Sequence, residues 1–138
     1  MKRMVVDASV AISWGFPDEV DTRAGELLRM LVDADPIVPA IWPLEMANAM
    51  VMAERRKRLT KLETRKFLSL LSELAFEIDA HTGAHAFNDT LTLARRYDLT
   101  AYDACYLELA LREEVPLVTF DAALRRAGRR AGARLLPA

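Results

Sequence analysis

The sequence has little that would suit a protein to an oxidising compartment or to a membrane. Its 138 residues include one cysteine, Cys105, so no disulfide can form within the chain. No apolar run approaches the roughly 20 residues of a membrane span. Asp7 and Asp18 also interrupt the stretch that a signal peptide would need. We therefore expect a soluble, cytoplasmic protein that has no membrane partner.

The chain also has little net charge. Its 19 basic and 20 acidic residues leave a charge of -1, so the whole molecule exerts no strong pull on a nucleic acid. Basic residues are nevertheless clustered at 55–58 and at 125–134, and local contacts with phosphates stay open there. The first cluster is more simply the solvated end of a helix, and the second is the better phosphate-facing candidate. The length predicts a single domain, 1–138, with a substantial core.

Short apolar runs alternate with longer helical patterns along the chain. Strands are predicted at 3–6, 37–38, 76–79, 117–119 and 133–136, and helices at 9 to about 16, 20–32, 43–58, 60–74, 84–97, 101–114 and 122–127. Thr60 and Glu63 have the spacing of a capping box, and residues 33–36 are interpreted as a turn. The alternation predicts an α/β fold with a central, mostly parallel sheet flanked by helices.

Four acidic residues stand where this pattern changes. Asp7 and Asp121 directly follow apolar runs, whereas Glu45 and Asp103 lie in the first turns of predicted helices. Ligands bind beyond the carboxyl ends of the strands in parallel sheets, and Asp7 and Asp121 fall at that edge. Acids gathered from distant parts of a chain repel one another unless a cation or a proton joins them. Convergence of the four would therefore predict a site for a divalent metal.

Oxygen ligands in this number suit Mg²⁺ or Mn²⁺. Such ions take one or two carboxylates, keep several waters and bind substrate phosphates through the remaining positions. A bound ion activates a water molecule and offsets the charge that builds on a phosphate, whereas bare acids would repel a phosphodiester. The acids together thus predict metal-dependent hydrolysis of a phosphodiester.

Four segments, in this order along the chain, resemble the motifs of PIN-domain ribonucleases. They are the D-x-S after the first strand, the E-x-x-N at a helix start, the segment with the third acid, and the T-x-D after a later strand. The size and the motif set resemble most closely the VapC-type toxins of bacterial and archaeal toxin–antitoxin pairs. The matching residues are Asp7-Ala8-Ser9, Glu45-Met46-Ala47-Asn48, the run 100–106 and Thr119-Phe120-Asp121.

The resemblance implies a PIN-like three-layer sandwich and a Mg²⁺- or Mn²⁺-dependent endoribonuclease. It further implies a homodimer that acts on RNA and is held inactive by a VapB-type antitoxin. Asp7 and Asp103 would be the main metal-binding acids, and Glu45 and Asp121 would complete the catalytic set. The implied supporting residues are Ser9 and Thr119, which would hydrogen-bond the acids, waters on the metal or a phosphate, and Asn48, which lies on the helical face of Glu45 and would orient that site.

Two other functions stay open at this point. A non-catalytic RNA-binding or scaffold module could retain the same fold. A phosphatase of the haloacid-dehalogenase type also uses an aspartate after the first strand, but it needs a second acid where this chain has Ser9. A zinc site at His81 and His85 is not expected, because no acid or cysteine pattern completes it. Asp89 and Glu108 are interpreted as solvated or structural.

Overall fold

The computed structural model describes residues 2–16 and 22–138. The strands are β1 (Lys2–Val6), β2 (Ala34–Val38), β3 (Glu77–Ile78), β4 (Leu117–Val118) and β5 (Leu135–Leu136). The helices are α1 (Ala8–Ser13), α2 (Thr22–Val32), α3 (Trp42–Arg55), α4 (Lys61–Glu73), α5 (Thr82–His85), α6 (Leu91–Tyr97), α7 (Ala101–Glu113) and α8 (Ala122–Ala131), with a π-helical turn at Ala86–Thr90 between α5 and α6. The start of the helix predicted from residue 20 lies outside the described residues.

The five described strands form one parallel sheet in the order β3-β2-β1-β4-β5. The predicted α/β fold with a mostly parallel sheet is confirmed, and the sheet is parallel throughout. β1 lies at its centre, with β2 on one side and β4 on the other. The strands that follow β1 first add on one side of it, as β2 and β3, and then on the other side, as β4 and β5. The carboxyl ends of β1 and β4 lie at this switch in strand order, where parallel sheets form a crevice that binds ligands.

Helices cover both faces of the sheet, which explains why β1 is apolar on both sides. Met4, Val5 and Val6 are all fully buried. Val5 packs in a cluster with residues of α7, whereas Met4 and Val6 pack on the opposite face with Leu27 and Leu31 of α2. A strand that is buried on both faces has a continuous run of apolar residues, whereas a strand with one exposed face alternates apolar and polar residues.

The turn predicted at 33–36 is wrong, because β2 already begins at Ala34. Pro36 suggested a break, since proline has no N–H to donate to a neighbouring strand. Here β3 pairs only with Ile37 and Val38, so no strand lies beside Pro36 on that side. Proline is tolerated in such an edge position. The shortness of β3 thus allows β2 to extend through the proline.

The single helix predicted at 84–97 is divided in the structure. It starts earlier, at Thr82, and widens into the π-helical turn before continuing as α6 to Tyr97. The predicted capping box is confirmed: the N–H of Glu63 donates to Thr60 Oγ1 and the N–H of Thr60 donates to Glu63 Oε1. None of the helices described is both long and apolar enough to cross a bilayer.

Candidate active site

Asp7 follows β1 directly and lies at the centre of the sheet edge. Its backbone N–H continues the ladder by donating to the carbonyl of Val118, and the residue is 6% exposed. Two hydroxyls donate to the same carboxylate oxygen, Oδ2: Ser9 Oγ at 2.6 Å and Thr119 Oγ1 at 2.9 Å. The hydrogen bonds predicted from Ser9 and Thr119 to an acid are therefore present, and they fix the orientation of the carboxylate.

Asp121 is brought beside Asp7 by the end of β4. The buried Thr119 accepts the N–H of Asp121 at 3.1 Å while its hydroxyl donates to Asp7. Oδ2 of Asp121 accepts the N–H of Leu124 at 2.8 Å and thereby caps the start of α8. One threonine hydroxyl thus joins two acids that are 114 residues apart in the chain.

Glu45 and Asp103 reach the same edge from the first turns of two helices. Pro43 occupies the start of α3, where its missing N–H is not needed, and Glu45 follows within that turn. Thr100 caps α7 by accepting the N–H of Asp103 at 3.1 Å. Carboxylates in a first helical turn are favoured by the helix dipole, so both helix starts stabilise acids at this edge.

The four carboxyl groups lie close enough for the charge of one to affect the pKa of another. Burial raises the pKa of Asp7, of Glu45 and of Asp103 above the ordinary value in each case. The charge of Asp7 raises the pKa of Glu45 and of Asp103 further, and the charge of Asp121 raises the pKa of Asp7 and of Asp103. The structure therefore brings together the four acids that the sequence predicted to converge.

The chemistry of this donor set fits a divalent cation. All the converging groups are carboxylates, and the only charges that shift the pKa values of Asp7, Glu45 and Asp103 among the described residues are those of other acids. The arrangement is open: within residues 2–16 and 22–138, no three of the four offer oxygens that all lie within 4.8 Å of one another. An ion that keeps several of its waters, as Mg²⁺ does, suits such spacing.

Asn48, the third predicted supporting residue, lies away from these contacts. Its side chain is exposed one turn beyond Glu45 and lines a cavity of about 240 Å³ with Phe16 and Arg58. Asn48 makes no hydrogen bond to Glu45 in the described part of the chain. The helical spacing correctly placed both residues on one helix, but it did not determine which groups their side chains would meet.

Tyr106 is a site contact that the sequence interpretation missed. It follows Asp103 by three residues on α7, is completely buried, and its hydroxyl donates to Glu45 Oε1 at 2.5 Å. The i, i+3 spacing from Asp103 was the available signal, since residues so spaced share a helical face. Its partner on α3 could be recognised only after α3 and α7 had been brought together.

A second group of charged residues lies at another point of the structure. Arg112 donates to both oxygens of Glu108, at 2.8 and 3.0 Å, and to both oxygens of Asp79, at 3.2 and 2.7 Å. Burial alone would raise the pKa of Asp79, but the hydrogen bonds from Arg112, Thr82 and the His81 N–H outweigh it and lower the pKa to about 2. Glu108 is therefore structural, as expected, and its charge is neutralised.

His85 joins this network through Asp89 and Glu108. Its Nδ1 lies 3.3 Å from Asp89 Oδ2 and 3.9 Å from Glu108 Oε2, and one ligand atom of each residue lies within 4.8 Å of the others. The spacing of His81 and His85 did not indicate that His85 would contact two acids, Asp89 and Glu108. Both Glu108 oxygens already accept from Arg112 and the side chain of Asp89 is 70% exposed, so the contacts describe an ion network.

Arg125 is the member of the basic cluster at 125–134 that lies against β4. It donates to the carbonyl of Thr119 at 2.8 Å and to the carbonyl of Pro137 at 2.5 Å. Burial lowers the pKa of Arg125, and the charges of Arg129 and Arg23 lower it further. These contacts hold a guanidinium group next to the strand end that carries Thr119 and Asp121.

An apolar groove of about 530 Å³ runs between α3 and α4. It is lined mainly by Trp42, Met46, Met50, Val51, Leu68 and Phe76. Val51 and Leu68 are exposed in the described structure, and Leu44 nearby is exposed as well. The groove therefore offers apolar contact area on the two helices that follow β2.

Comparisons with known proteins agree with this geometry. The sequence family described as PIN domain matches residues 4–130. The chain is 29% identical over 119 residues to Ribonuclease VapC3 of Pyrobaculum aerophilum, covering 86% of this chain and 89% of that protein.

Solved structures share the fold at low sequence identity. PAE2754 from Pyrobaculum aerophilum has a TM-score of 0.70 at 21% identity, covering 98% of this chain and 84% of that one. VapBC2 from Rickettsia felis, bound to a DNA fragment from their promoter, has a TM-score of 0.65 at 15% identity and 96% coverage of both chains. FitAcB from Neisseria gonorrhoeae has a TM-score of 0.66 at 17% identity, covering 96% and 95%.

Proposed function

Because this chain belongs to the PIN domain family, we propose that it is a metal-dependent endoribonuclease and the toxin of a VapBC-type toxin–antitoxin pair. The observation that carries the proposal is the convergence of Asp7, Glu45, Asp103 and Asp121, in which Thr119 joins Asp7 to Asp121 and no basic group of the described residues contributes to the pKa shifts of Asp7, Glu45 and Asp103. The similarity to a protein named Ribonuclease VapC3 supports the choice of RNA as substrate. Likeness to VapBC2 supports an antitoxin as partner.

The proposed metal ligands are Asp7 and Asp103, with Glu45 and Asp121 completing the set directly or through water. The proposed cofactor is Mg²⁺ or Mn²⁺, which would lower the pKa of a bound water and offset the charge on the phosphate. Ser9 and Thr119 hold the Asp7 carboxylate in one orientation. Asn48 remains a proposed supporting residue because its exposed side chain lies one turn beyond Glu45.

Hydrolysis in this site would proceed by direct attack of water. The water oxygen forms a bond to phosphorus while the bond between phosphorus and the leaving sugar oxygen breaks. Glu45 accepts one proton from the water, and the leaving oxygen takes a proton from solvent. The geometry suits this role, because only one oxygen of Glu45, Oε1, accepts a hydrogen bond from a described side chain.

Two surface features support the proposed partners, and the cysteine content supports the proposed location. Arg125 holds a positive charge beside the strand end of Thr119, where an RNA phosphate next to the cleaved one could bind. The apolar groove between α3 and α4 offers contact area to a VapB-like antitoxin or to a second copy in a homodimer. A cytoplasmic location is proposed because RNA and an antitoxin would both be met there, and the lone Cys105 is consistent with it.

The proposal is tested by incubating purified protein with RNA and Mg²⁺ or Mn²⁺, with and without EDTA. Asp7→Asn and Asp103→Asn should each reduce the cleavage rate by at least about 100-fold, which is the scale of losing a group that stabilises the transition state. Asp98→Asn is the matched control: Asp98 is exposed and has a positive φ of 54°, which asparagine also adopts readily. Cleavage that persists in EDTA and in both variants would contradict the proposed mechanism.

The other functions predict different results in the same experiments. A non-catalytic module would show neither cleavage nor calorimetric binding of Mg²⁺ or Mn²⁺. A phosphatase of the haloacid-dehalogenase type would form an aspartyl-phosphate on Asp7. Membership of the PIN domain family argues against that chemistry, and so does Ser9, whose hydroxyl donates to Asp7 and supplies no acid for a leaving group.

A further inference from the structure

Tyr106 is a neutral, completely buried residue of α7 that contacts Glu45, one of the four acids. Its ring belongs to the main core cluster, and it is among the largest side chains with no exposed surface. A buried hydroxyl needs a hydrogen-bond partner, because leaving one unpaired is costly. The partner here is Glu45 Oε1 on α3, at 2.5 Å and 61 residues away in sequence.

The direction of this hydrogen bond is determined by the chemistry of the two groups. Glu45 carries the acceptor oxygens, and the hydroxyl of Tyr106 is the donor. A phenol hydroxyl is protonated near neutral pH, so Tyr106 keeps donating to Glu45. A hydrogen bond to a charged acceptor is shorter and stronger than one between neutral groups.

The contact leaves one oxygen of Glu45 for the site. Oε1 is held by Tyr106, and the core packing around the tyrosine ring prevents the hydroxyl from moving with the carboxylate. In the described structure, Glu45 has no other hydrogen bond from a side chain. Without Tyr106 the half-buried carboxylate would be free to rotate about its own side-chain bonds.

We propose that Tyr106 is a positioning residue that holds the Glu45 carboxylate where it can accept the proton of the attacking water. This inference rests on the proposed function, since it concerns the hydrolytic step. Tyr106 does not touch the reacting atoms and acts only through Glu45. Displacing a reacting group by about 1 Å can slow a reaction by about 100-fold, so the loss of this contact should affect the rate.

The test is the Tyr106→Phe variant, which removes one oxygen and keeps the ring. We expect kcat to fall by about 10- to 100-fold while KM for the RNA stays within about twofold, because Glu45 serves the reaction more than substrate binding. The matched control is Tyr97→Phe, which also removes a tyrosine hydroxyl but keeps the ring beneath Arg130. That variant should keep the wild-type kcat.

A double variant separates positioning from a general loss of structure. If Tyr106 acts through Glu45, then Glu45→Gln/Tyr106→Phe should be no slower than Glu45→Gln alone. Multiplied losses in the double variant, or an unchanged kcat in Tyr106→Phe, would overturn the inference while leaving the proposed function intact. A wild-type protein that cleaves no RNA with either metal would overturn both.

A spectroscopic measurement covers the case in which Tyr106→Phe does not fold. The chain has three tyrosines, so Tyr97→Phe/Tyr102→Phe leaves Tyr106 alone to carry 3-fluorotyrosine. Its single fluorine resonance should shift when Glu45→Ala removes the acceptor. A resonance at the same position in both proteins would show that the hydroxyl does not bind Glu45 and would overturn the inference.

Discussion

Two groups of acids in this protein have similar local sequences and opposite electrostatics. Asp7 follows β1 directly and Asp79 follows β3 directly, so each stands at the carboxyl end of a parallel strand. Asp79 meets Arg112, and its pKa falls to about 2, whereas burial and then the charge of Asp121 raise the pKa of Asp7. Asp79 is already paired with a basic residue within the fold, whereas Asp7 has no basic partner among the described residues and is a proposed ligand of a cation.

This difference separates a structural role from a proposed catalytic one. Arg112 satisfies Asp79 and Glu108 together, so that network needs nothing from outside the chain. Asp7 and the three acids beside it repel one another, which costs the folded protein stability when no ion is bound. Functional sites commonly lower stability in this way. Three measurements test whether the two groups of acids differ in this way.

The largest expected effect on stability comes from removing Arg112. Arg112→Met leaves two carboxylates whose side chains are each 4% exposed without their shared partner. Breaking a buried ion pair by removing one member costs about 3 kcal/mol or more of unfolding free energy. Urea unfolding should show this loss, and exposed Arg96→Met should change stability by less than about 0.5 kcal/mol. Equal stability of the two variants would show that the network is dispensable.

Metal ions should stabilise the region around Asp7 and leave the Arg112 network unaffected. At 100 times its dissociation constant, an ion that binds only the folded state adds about 2.7 kcal/mol to the free energy of unfolding. Wild type and Asp98→Asn should both show this gain with Mg²⁺ or Mn²⁺, and Asp103→Asn should lose most of it. Without metal, Asp103→Asn should be at least as stable as wild type. A full metal response in Asp103→Asn would place the ion elsewhere.

The pH dependence of stability should have opposite signs in the two regions. The folded pKa of Asp79 is about 2 against an ordinary 3.8, so its contribution is present above pH 4 and is lost as pH falls from 4 to 2. That contribution is roughly 2 kcal/mol. Asp7, Glu45 and Asp103 have raised pKa values, so without metal their contribution is present at low pH and is lost as pH rises through those values.

Urea unfolding between pH 2 and pH 8 in EDTA measures both slopes. Asp79→Asn should reduce the fall in the free energy of unfolding between pH 4 and pH 2. Asp103→Asn should reduce the fall in that free energy as the pH rises toward neutral. If Asp79→Asn keeps the full acid-side slope, then Arg112 does not set the stability of this region.

Much of the architecture was predictable because its signals are local. The strand ends at Asp7 and Thr119 follow from apolar runs that stop at polar residues, and the capping box at Thr60 depends on residues three apart. The parallel arrangement followed from the alternation of strands and helices. The failures were also physical: Pro36 stays in β2 because its neighbour β3 is short, which no local pattern reports.

The residues of the candidate site were also predictable only where the signal in the sequence is local. Asp7, Glu45, Asp103 and Asp121 could be selected from the sequence because each stands at a strand end or a helix start, where a side chain points toward the sheet edge. Tyr106 and Arg112 could not be assigned, since their meaning depends on partners 61 and 33 residues away. Before the fold is known, both appear to be ordinary residues of one helix.

Short-range patterns of apolar, capping and turn residues mark strand ends and helix starts, so they specify which acids reach the carboxyl edge of the sheet. Which of those acids are neutralised depends on the packing of the folded chain. Arg112 comes from α7 to pair Asp79, while the same helix brings Asp103 to Asp7 and adds a like charge. Pairing depends on distances of a few ångströms between side chains far apart in sequence, and packing of the helices on the sheet sets those distances.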